Sequence, residues 1–202
     1  MEGRARPVAR GRHRFFSWYR AVPLAIVAIL GAISFVYSYG PSFLFSALYP
    51  LEYEEYITDS CSRHGVDPYL VAAVINTESN WDEDVESSKG AIGLMQLMPE
   101  SADDMAEWGL VDSSVYDPDD LTDPQTNIEY GCAFLAYLID YYNGSSDKAV
   151  AAYNAGMGNV DEWLEDGGVL HNVITFPETQ AYLARVTMAQ TRYEELYPDS
   201  FQ

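Results

Sequence analysis

The chain has 202 residues and a formal net charge of −20 at pH 7, and 48% of its residues are hydrophobic. This length suits one domain with an appended segment, and the apolar fraction is sufficient for one buried core. The negative charge argues against nucleic acid as a partner, because the folded part would repel phosphate groups.

The first 20 residues form a basic tail. Six of the eleven basic residues lie there, all of them arginines, and together with Glu2 they give the tail a net charge of +5. The rest of the chain therefore carries −25, since the two parts sum to −20. A basic tail that precedes an apolar segment indicates orientation in a membrane.

Residues 21–51 contain no charged residue, and residues 22–39 are rich in Ala, Val, Ile, Leu and Phe. A helix rises about 1.5 Å per residue, so roughly 20 residues cross the hydrocarbon core of a bilayer. We predict a basic cytoplasmic tail at 1–20, a single-pass transmembrane anchor with its juxtamembrane segment at 21–49, and an extracytoplasmic domain at 50–202.

A cleaved signal peptide is the alternative interpretation of the apolar segment. Ser38-Tyr39-Gly40 fits a small-x-small cleavage site, but Pro41 follows it and the uncharged run continues. These two features favour an anchor that is retained in the cell membrane.

The remaining sequence predicts an all-α domain. Apolar residues recur at helical spacing, Pro and Gly residues mark helix ends, and no segment alternates over the length of a strand. The predicted helices lie at residues 52–63, 68–78, 99–107, 124–142, 147–154, 159–165 and 177–197.

Glu78 ends one of these predicted helices. Asp67 is a suitable N-cap and Pro68 a suitable first residue, while Glu78 follows Val74 by four positions and so falls on the buried stripe. Poor solvation raises the pKa of a carboxyl group, which suits a general acid near neutral pH. The alternative is an ordinary glutamate at a helix end, hydrogen-bonded to the next loop.

Sequence blocks in a fixed order surround this glutamate. They are Glu-Ser-x-Trp at 78–81, Ser87, Gly-Ala-x-Gly-Leu-Met-Gln-Leu-Met-Pro at 90–99, Asn127-Ile128 with Gly131, Ala-Tyr-Asn-Ala-Gly at 152–156, and Phe-Pro-Glu-Thr-Gln-Ala-Tyr at 176–182. Together they resemble the soluble lytic transglycosylase (SLT) family, which is similar to glycoside hydrolase family 23. The resemblance covers about residues 51–197 and implies a lysozyme-like fold.

The resemblance implies a peptidoglycan lytic transglycosylase, a carbon–oxygen lyase that uses no cofactor and no metal. Glu78 would protonate the oxygen of the β-1,4 bond between N-acetylmuramic acid and N-acetylglucosamine. As a carboxylate it would then accept a proton from the muramic C6 hydroxyl, which closes on C1 and leaves a 1,6-anhydro end. The expected partner is the peptidoglycan glycan strand, and the sequence does not identify any protein of an envelope assembly.

The resemblance also assigns six residues to substrate binding, with Tyr153 either stabilising an oxocarbenium-like intermediate or orienting Glu78. Without the family resemblance, Ser87 and Gln96 would be interpreted as loop-capping residues, and Met98 and the two tyrosines as packing residues. The six residues are Ser87, Gln96, Met98, Tyr153, Asn154 and Tyr182.

Two positions depart from the family pattern. Met157 stands where the family usually has Pro, and Gln180 where it often has Arg or Lys. Neither change touches the acid, so the expected effect is on affinity or on preference for the peptide stem. Trp81 is predicted to be a core anchor next to Glu78.

Two other functions remain open at this point. A lysozyme-type peptidoglycan hydrolase would use a loop acid such as Asp82 or Asp84 to position water. A non-catalytic glycan-binding module would keep the groove without turnover, although binding alone does not require a buried acid.

The sequence contains two cysteines, Cys61 and Cys132, both in the predicted extracytoplasmic domain. A disulfide between the first helix and the central helix and a pair of buried thiols are both compatible with the sequence. Their wide spacing and the absence of a neighbouring Cys or His cluster argue against a metal site.

Overall fold

The computed structural model describes residues 18–201, except for the side chains of residues 18–21, 24, 32 and 36–44. Most of the predicted basic tail, residues 1–17, lies outside the described residues. The chain divides into two compact units, residues 1–45 and 46–202.

The first unit contains most of helix α1, Trp18–Leu48. Large aliphatic side chains on this helix are exposed, including Ile26, Val27, Ile29, Leu30 and Ile33. Within the described part of the chain, no helix has both the length and the apolar character needed to span a membrane.

The second unit is helical, as its sequence predicts. Its helices are α2 (Glu54–His64), α3 (Pro68–Glu78), α4 (Pro99–Glu107), α5 (Pro124–Tyr141), α6 (Ser146–Ala155), α7 (Met157–Leu164), α8 (Leu170–Val173) and α9 (Pro177–Leu196). Helices α3, α4, α5 and α9 begin at a proline. Only α8, a single turn, has no predicted counterpart.

Helix α3 is the element on which the site is built. Asp67 caps it by accepting a hydrogen bond from the Tyr69 backbone N–H at 3.0 Å. Its buried residues run without interruption from Leu70 to Ile75, and the helix packs against α2 and α9. Burial of this many apolar side chains fixes the position of its last residue, Glu78.

A buried anion joins α2 to the central helix α5. Glu129 is 3% exposed and accepts hydrogen bonds from Ser60, from Arg63 at 2.6 Å and from His64 at 2.9 Å. Burial acts to raise the pKa of Glu129, but the bonds from His64, Arg63 and Ser60 outweigh it and lower the pKa to about 2. The cluster therefore fixes how these two helices pack.

Candidate active site

Glu78 is the last residue of α3, and a tight turn follows it. The Ser79 hydroxyl donates to the Ile75 carbonyl at 3.2 Å and accepts from the Trp81 N–H at 3.1 Å. Asn80 and Trp81 adopt left-handed φ angles of 52° and 67°, so the chain reverses at once. Trp81 is buried and donates its indole N–H to the Tyr193 hydroxyl at 2.8 Å, which agrees with the core anchor predicted from the sequence.

The carboxyl group of Glu78 lies mostly out of solvent beside α9. The Tyr182 hydroxyl donates to Glu78 Oε1 at 2.7 Å. Burial raises the pKa of Glu78 to about 7, while the hydrogen bond from Tyr182 and the positive charge of Arg185 act to lower it. The side chain is thus able both to hold a proton near neutral pH and to exist as a stabilised carboxylate.

The Gly-rich motif forms a compact loop next to this acid. Ile92 and Leu97 exchange backbone hydrogen bonds of 2.9 and 3.0 Å. Gln96, at a left-handed φ of 48°, donates from Nε2 to the carbonyl oxygens of Val85 and Gly93, both at 3.0 Å. The amide nitrogen of Gln96 therefore stabilises the loop, and its amide oxygen has no described partner within the domain.

Ser87 also stabilises this loop, at its other end. Its hydroxyl oxygen accepts backbone N–H bonds from Ala91 at 2.9 Å and from Lys89 at 3.3 Å. The sugar-facing role and the loop-capping role predicted for this residue are compatible, because a hydroxyl that accepts can still donate its own proton.

Asn127 supports the loop from behind. Its Oδ1 accepts from the Met95 N–H at 2.8 Å, and its Nδ2 donates to the carbonyls of Ile92 at 2.9 Å and Leu121 at 2.8 Å. Gly93 lies against this amide with φ +75°, and a Cβ there would come within 2.5 Å of Asn127 Nδ2. A side chain at position 93 would therefore displace the Asn127 amide from these hydrogen bonds.

Tyr153 is connected to the same loop. Its hydroxyl donates to the Met95 carbonyl at 2.8 Å, and the side chain of Met95 packs against Gly131 on α5. Burial raises the pKa of Tyr153 well above its usual value, and the charge of Glu78 raises it further. Tyr153 is therefore close enough to Glu78 to feel its charge, but the direct hydrogen bond to the acid comes from Tyr182.

The two remaining predicted binding residues are on the surface. Met98 is 37% exposed at the start of α4, so it is a surface side chain and not a core one. Asn154 accepts a hydrogen bond from the Thr179 hydroxyl at 2.9 Å and lines a cleft of about 450 Å³ with Lys89, Phe176 and Glu178 among its walls.

Sequence reasoning missed Arg185, the cation that acts on Glu78. It lies one helical turn after Tyr182 on α9, and its guanidinium carbon is 6.0 Å from the centre of the Tyr182 ring. The available signal was its spacing, since residues three apart share a helix face. It is also one of only five basic residues outside the tail.

The chain is similar to known lytic murein transglycosylases. The soluble lytic murein transglycosylase of Escherichia coli K12 is 31% identical over 157 residues, which cover 75% of this chain and 24% of that protein. The membrane-bound lytic murein transglycosylase C of Edwardsiella ictaluri is 28% identical over 174 residues, covering 72% of this chain and 47% of that protein. The chain thus spans about a quarter of the length of the first relative and half that of the second.

A solved structure shows the same fold. The crystal structure of the 70 kDa soluble lytic transglycosylase of Escherichia coli superposes with a TM-score of 0.72 at 29% identity, over 78% of this chain and 26% of that one. The predicted lysozyme-like helical fold is therefore confirmed for the domain. Residues 55–171, more than half of the chain, match the family described as transglycosylase SLT domain, and the chain belongs to that family.

Proposed function

We propose that this protein is a membrane-anchored peptidoglycan lytic transglycosylase. It cleaves the β-1,4 bond between N-acetylmuramic acid and N-acetylglucosamine and leaves 1,6-anhydro-muramic ends. The observation that carries the proposal is the Glu78 carboxyl group, which has a pKa of about 7 and accepts a hydrogen bond from Tyr182. The match of relatives named lytic murein transglycosylases supports the same activity.

In the first step Glu78 acts as a general acid. Near pH 7 a large fraction of a carboxyl group with a pKa of about 7 is protonated. Its proton passes to the glycosidic oxygen as the bond to muramic C1 breaks, so that the leaving sugar departs as a neutral alcohol. Positive charge accumulates on the ring carbon, and the carboxylate that forms on Glu78 carries the opposite charge.

In the second step Glu78 acts as a base. The Tyr182 hydroxyl and the charge of Arg185 both stabilise its carboxylate form, so the anion persists until the muramic C6 hydroxyl approaches. The carboxylate accepts the hydroxyl proton while O6 bonds to C1. The nucleophile belongs to the same sugar, so the step gains from proximity and consumes no water.

The exposure and hydrogen bonding of the loop acids argue for this lytic route and against hydrolysis. Asp82 and Asp84 are exposed, and Asp82 Oδ1 accepts the Asp84 backbone N–H at 3.1 Å within their own loop. A water-activating carboxylate has to face the sugar opposite the acid. An exposed acid committed to its own turn is poorly placed for that role.

The remaining site residues are assigned to substrate binding in this proposal. Ser87 and Gln96 contribute a free hydroxyl proton and a free amide oxygen to sugar hydroxyl or N-acetyl groups. Met98 offers an exposed apolar side chain to a sugar face, and Asn154 lies at the cleft wall. Tyr153 maintains the loop through its bond to Met95, and we assign it to stabilising the oxocarbenium-like intermediate or orienting Glu78.

The products of digestion test the mechanism. The full chain in detergent micelles is incubated with purified peptidoglycan, and the soluble fragments are analysed by mass spectrometry. We expect anhydro-muramic ends, which are lighter by one water than reducing ends. Reducing ends in their place would show hydrolysis and contradict the proposal, and intact glycan that the protein still binds would favour a glycan-binding module.

The anchor is the second part of the proposal, with the tail at 1–20, the membrane segment at 21–49 and the catalytic domain at 50–202. Its support is the uncharged run from residue 21 to residue 51 and the exposed aliphatic side chains along α1. A helix that exposes apolar side chains on all faces is stable when lipid surrounds it. One relative is named membrane-bound.

Membrane extraction tests the anchor. We expect the full chain to stay with the membrane pellet through high-salt and alkaline washes and to be released by detergent. Leu30→Arg places a charge in the middle of the apolar run, at a cost of about 2.5–3.5 kcal/mol for insertion, and should move protein to the soluble fraction. Release of the unaltered chain by alkaline wash alone would contradict a spanning anchor.

A further inference from the structure

The two cysteines of the chain meet inside the domain. Cys61 on α2 is 5% exposed and Cys132 on α5 is completely buried. They are close enough for Cys61 to raise the pKa of the Cys132 thiol, and both are free thiols in this structure, although they lie 71 positions apart in the sequence. The fold thus brings the only two thiols of the chain to one point between two helices.

The cysteine pair lies beside the buried Glu129 cluster. Glu129, one turn before Cys132 on α5, is bonded to Ser60, Arg63 and His64, which surround Cys61 on α2. These bonds fix the register of α2 against α5 next to the thiol pair. The packing of α2 against α5 therefore holds the two thiols close together.

We infer that Cys61 and Cys132 are the site of an intramolecular disulfide in the mature protein. The inference depends on the proposed function only for the compartment, because peptidoglycan lies outside the cytoplasmic membrane, where disulfides persist. Two neighbouring thiols that remain reduced in such a compartment would be exposed to oxidation at every opening of the fold.

The oxidation is a thiol–disulfide exchange. One cysteine, as a thiolate, attacks a disulfide of an oxidant such as oxidised glutathione or a dithiol oxidoreductase, which forms a mixed disulfide and releases one thiol. The second cysteine then attacks the protein sulfur of that bond and releases the other thiol. The two cysteines lose two electrons and two protons, and the oxidant is reduced to two thiols.

The exchange takes place while the chain folds. Burial raises the pKa of the Cys132 thiol, and the neighbouring Cys61 raises it further, so the thiolate needed for attack is scarce in the finished domain. Before α2 and α5 close over them, both thiols are open to the oxidant. Once formed, the buried bridge is protected from reducing thiols by the same packing.

A bridge here would stabilise the domain from its interior. It closes a loop from residue 61 to residue 132, long enough for a large reduction of chain entropy in the unfolded state. For a domain of this size we expect the melting temperature to rise by about 10 °C. Cys132 also follows Gly131, against which Met95 packs, so the bridge would fix α5 directly beneath the catalytic loop.

Refolding under a thiol–disulfide buffer tests the inference. The full chain in detergent micelles is refolded with reduced and oxidised glutathione, denatured without reductant in iodoacetamide, and weighed by mass spectrometry. We expect a monomer about 2 Da lighter than the reduced chain, because two hydrogens are lost, with no alkyl group attached. Two alkylated cysteines, a glutathione adduct or a disulfide-linked dimer would each overturn the inference.

Melting curves supply the second readout. The chain refolded in reductant should melt at a lower temperature than the chain refolded under oxidising conditions, whereas the Cys61→Ala/Cys132→Ala variant should melt at one temperature after either treatment. An equal response of both proteins would overturn the stabilising role. The mass measurement on the unaltered chain needs no variant and no cleavage assay, so its outcome is independent of whether the protein cuts peptidoglycan.

Discussion

Replacing Glu78 with Gln is expected to lower peptidoglycan cleavage by roughly 100- to 10,000-fold, the contribution usual for a general acid and base. The amide has nearly the shape of the carboxyl group and can still accept the hydrogen bond from Tyr182. It cannot deliver a proton to the glycosidic oxygen or take one from a hydroxyl. The rate of release of soluble fragments from purified peptidoglycan measures the loss.

A matched control separates the effect of losing Glu78 from the effect of losing any acidic side chain of the neighbouring loop. Glu86→Gln removes an exposed carboxylate eight residues further on and should leave the rate within a few-fold of the unaltered chain. Binding of Glu78→Gln to insoluble peptidoglycan should be retained. A Glu78→Gln protein that cuts at the normal rate would show that Glu78 is not the acid. If the variant no longer bound peptidoglycan, the lower rate would reflect lost binding and not lost proton transfer.

The same substitution should also change how stability depends on pH. The pKa of Glu78 is raised from its ordinary 4.5 to about 7 in the folded state, so the folded protein prefers the protonated form. The associated stability is fully present below about pH 4.5 and is lost as pH rises through about 7. We expect the unaltered chain to lose up to about 3 kcal/mol relative to Glu78→Gln across this interval, measured by urea unfolding at several pH values.

Gly93→Ala is the second substitution with a large expected effect, about 3 kcal/mol or more of lost stability. Gly93 has a φ of +75°, and the added Cβ would lie 2.5 Å from Asn127 Nδ2 and 2.6 Å from the Leu121 carbonyl oxygen. The first contact disrupts the amide that fixes Met95 and Ile92, and the second meets rigid backbone. Denaturant unfolding measures the cost, and the cleavage rate should fall with it.

Gly90→Ala is the control for backbone strain alone. Gly90 belongs to the same loop and also has a positive φ, +87°, but nothing lies within 4 Å of a Cβ added there. Its expected cost is about 1 kcal/mol, from the left-handed conformation only. Equal costs for the two substitutions would show that the contacts behind Gly93 are unimportant.

The helices were predictable because their signals are local. Asp67 and Pro68 fix the start of α3, and a Pro likewise marks the start of α4, α5 and α9, so these elements begin where the sequence predicts. The predicted ends lie within one residue of the observed ones, whereas α2 and α7, which do not begin at a proline, start two residues from the predicted positions. Helix α8 was missed because a single turn with one buried residue leaves no periodic pattern. Family resemblance, and not periodicity, identified the groove residues.

The electrostatic environment of Glu78 was only partly predictable. Its place on the buried side of a helix follows from spacing, and so does the direction of its pKa shift. The bond from Tyr182, 104 positions away in the sequence, and the influence of Arg185 depend on the packing of α9 against α3. That packing is a property of the whole domain, and no local pattern in either helix encodes it.

The position of Glu78 at the very end of α3 has a further consequence. Peptide dipoles align along a helix and leave about half a negative elementary charge at its C-terminus. This charge opposes ionisation of a carboxyl group there, whatever side chains surround it. The main chain itself therefore favours a protonated acid, and changes at the two positions that depart from the family pattern, Met157 and Gln180, leave this contribution in place.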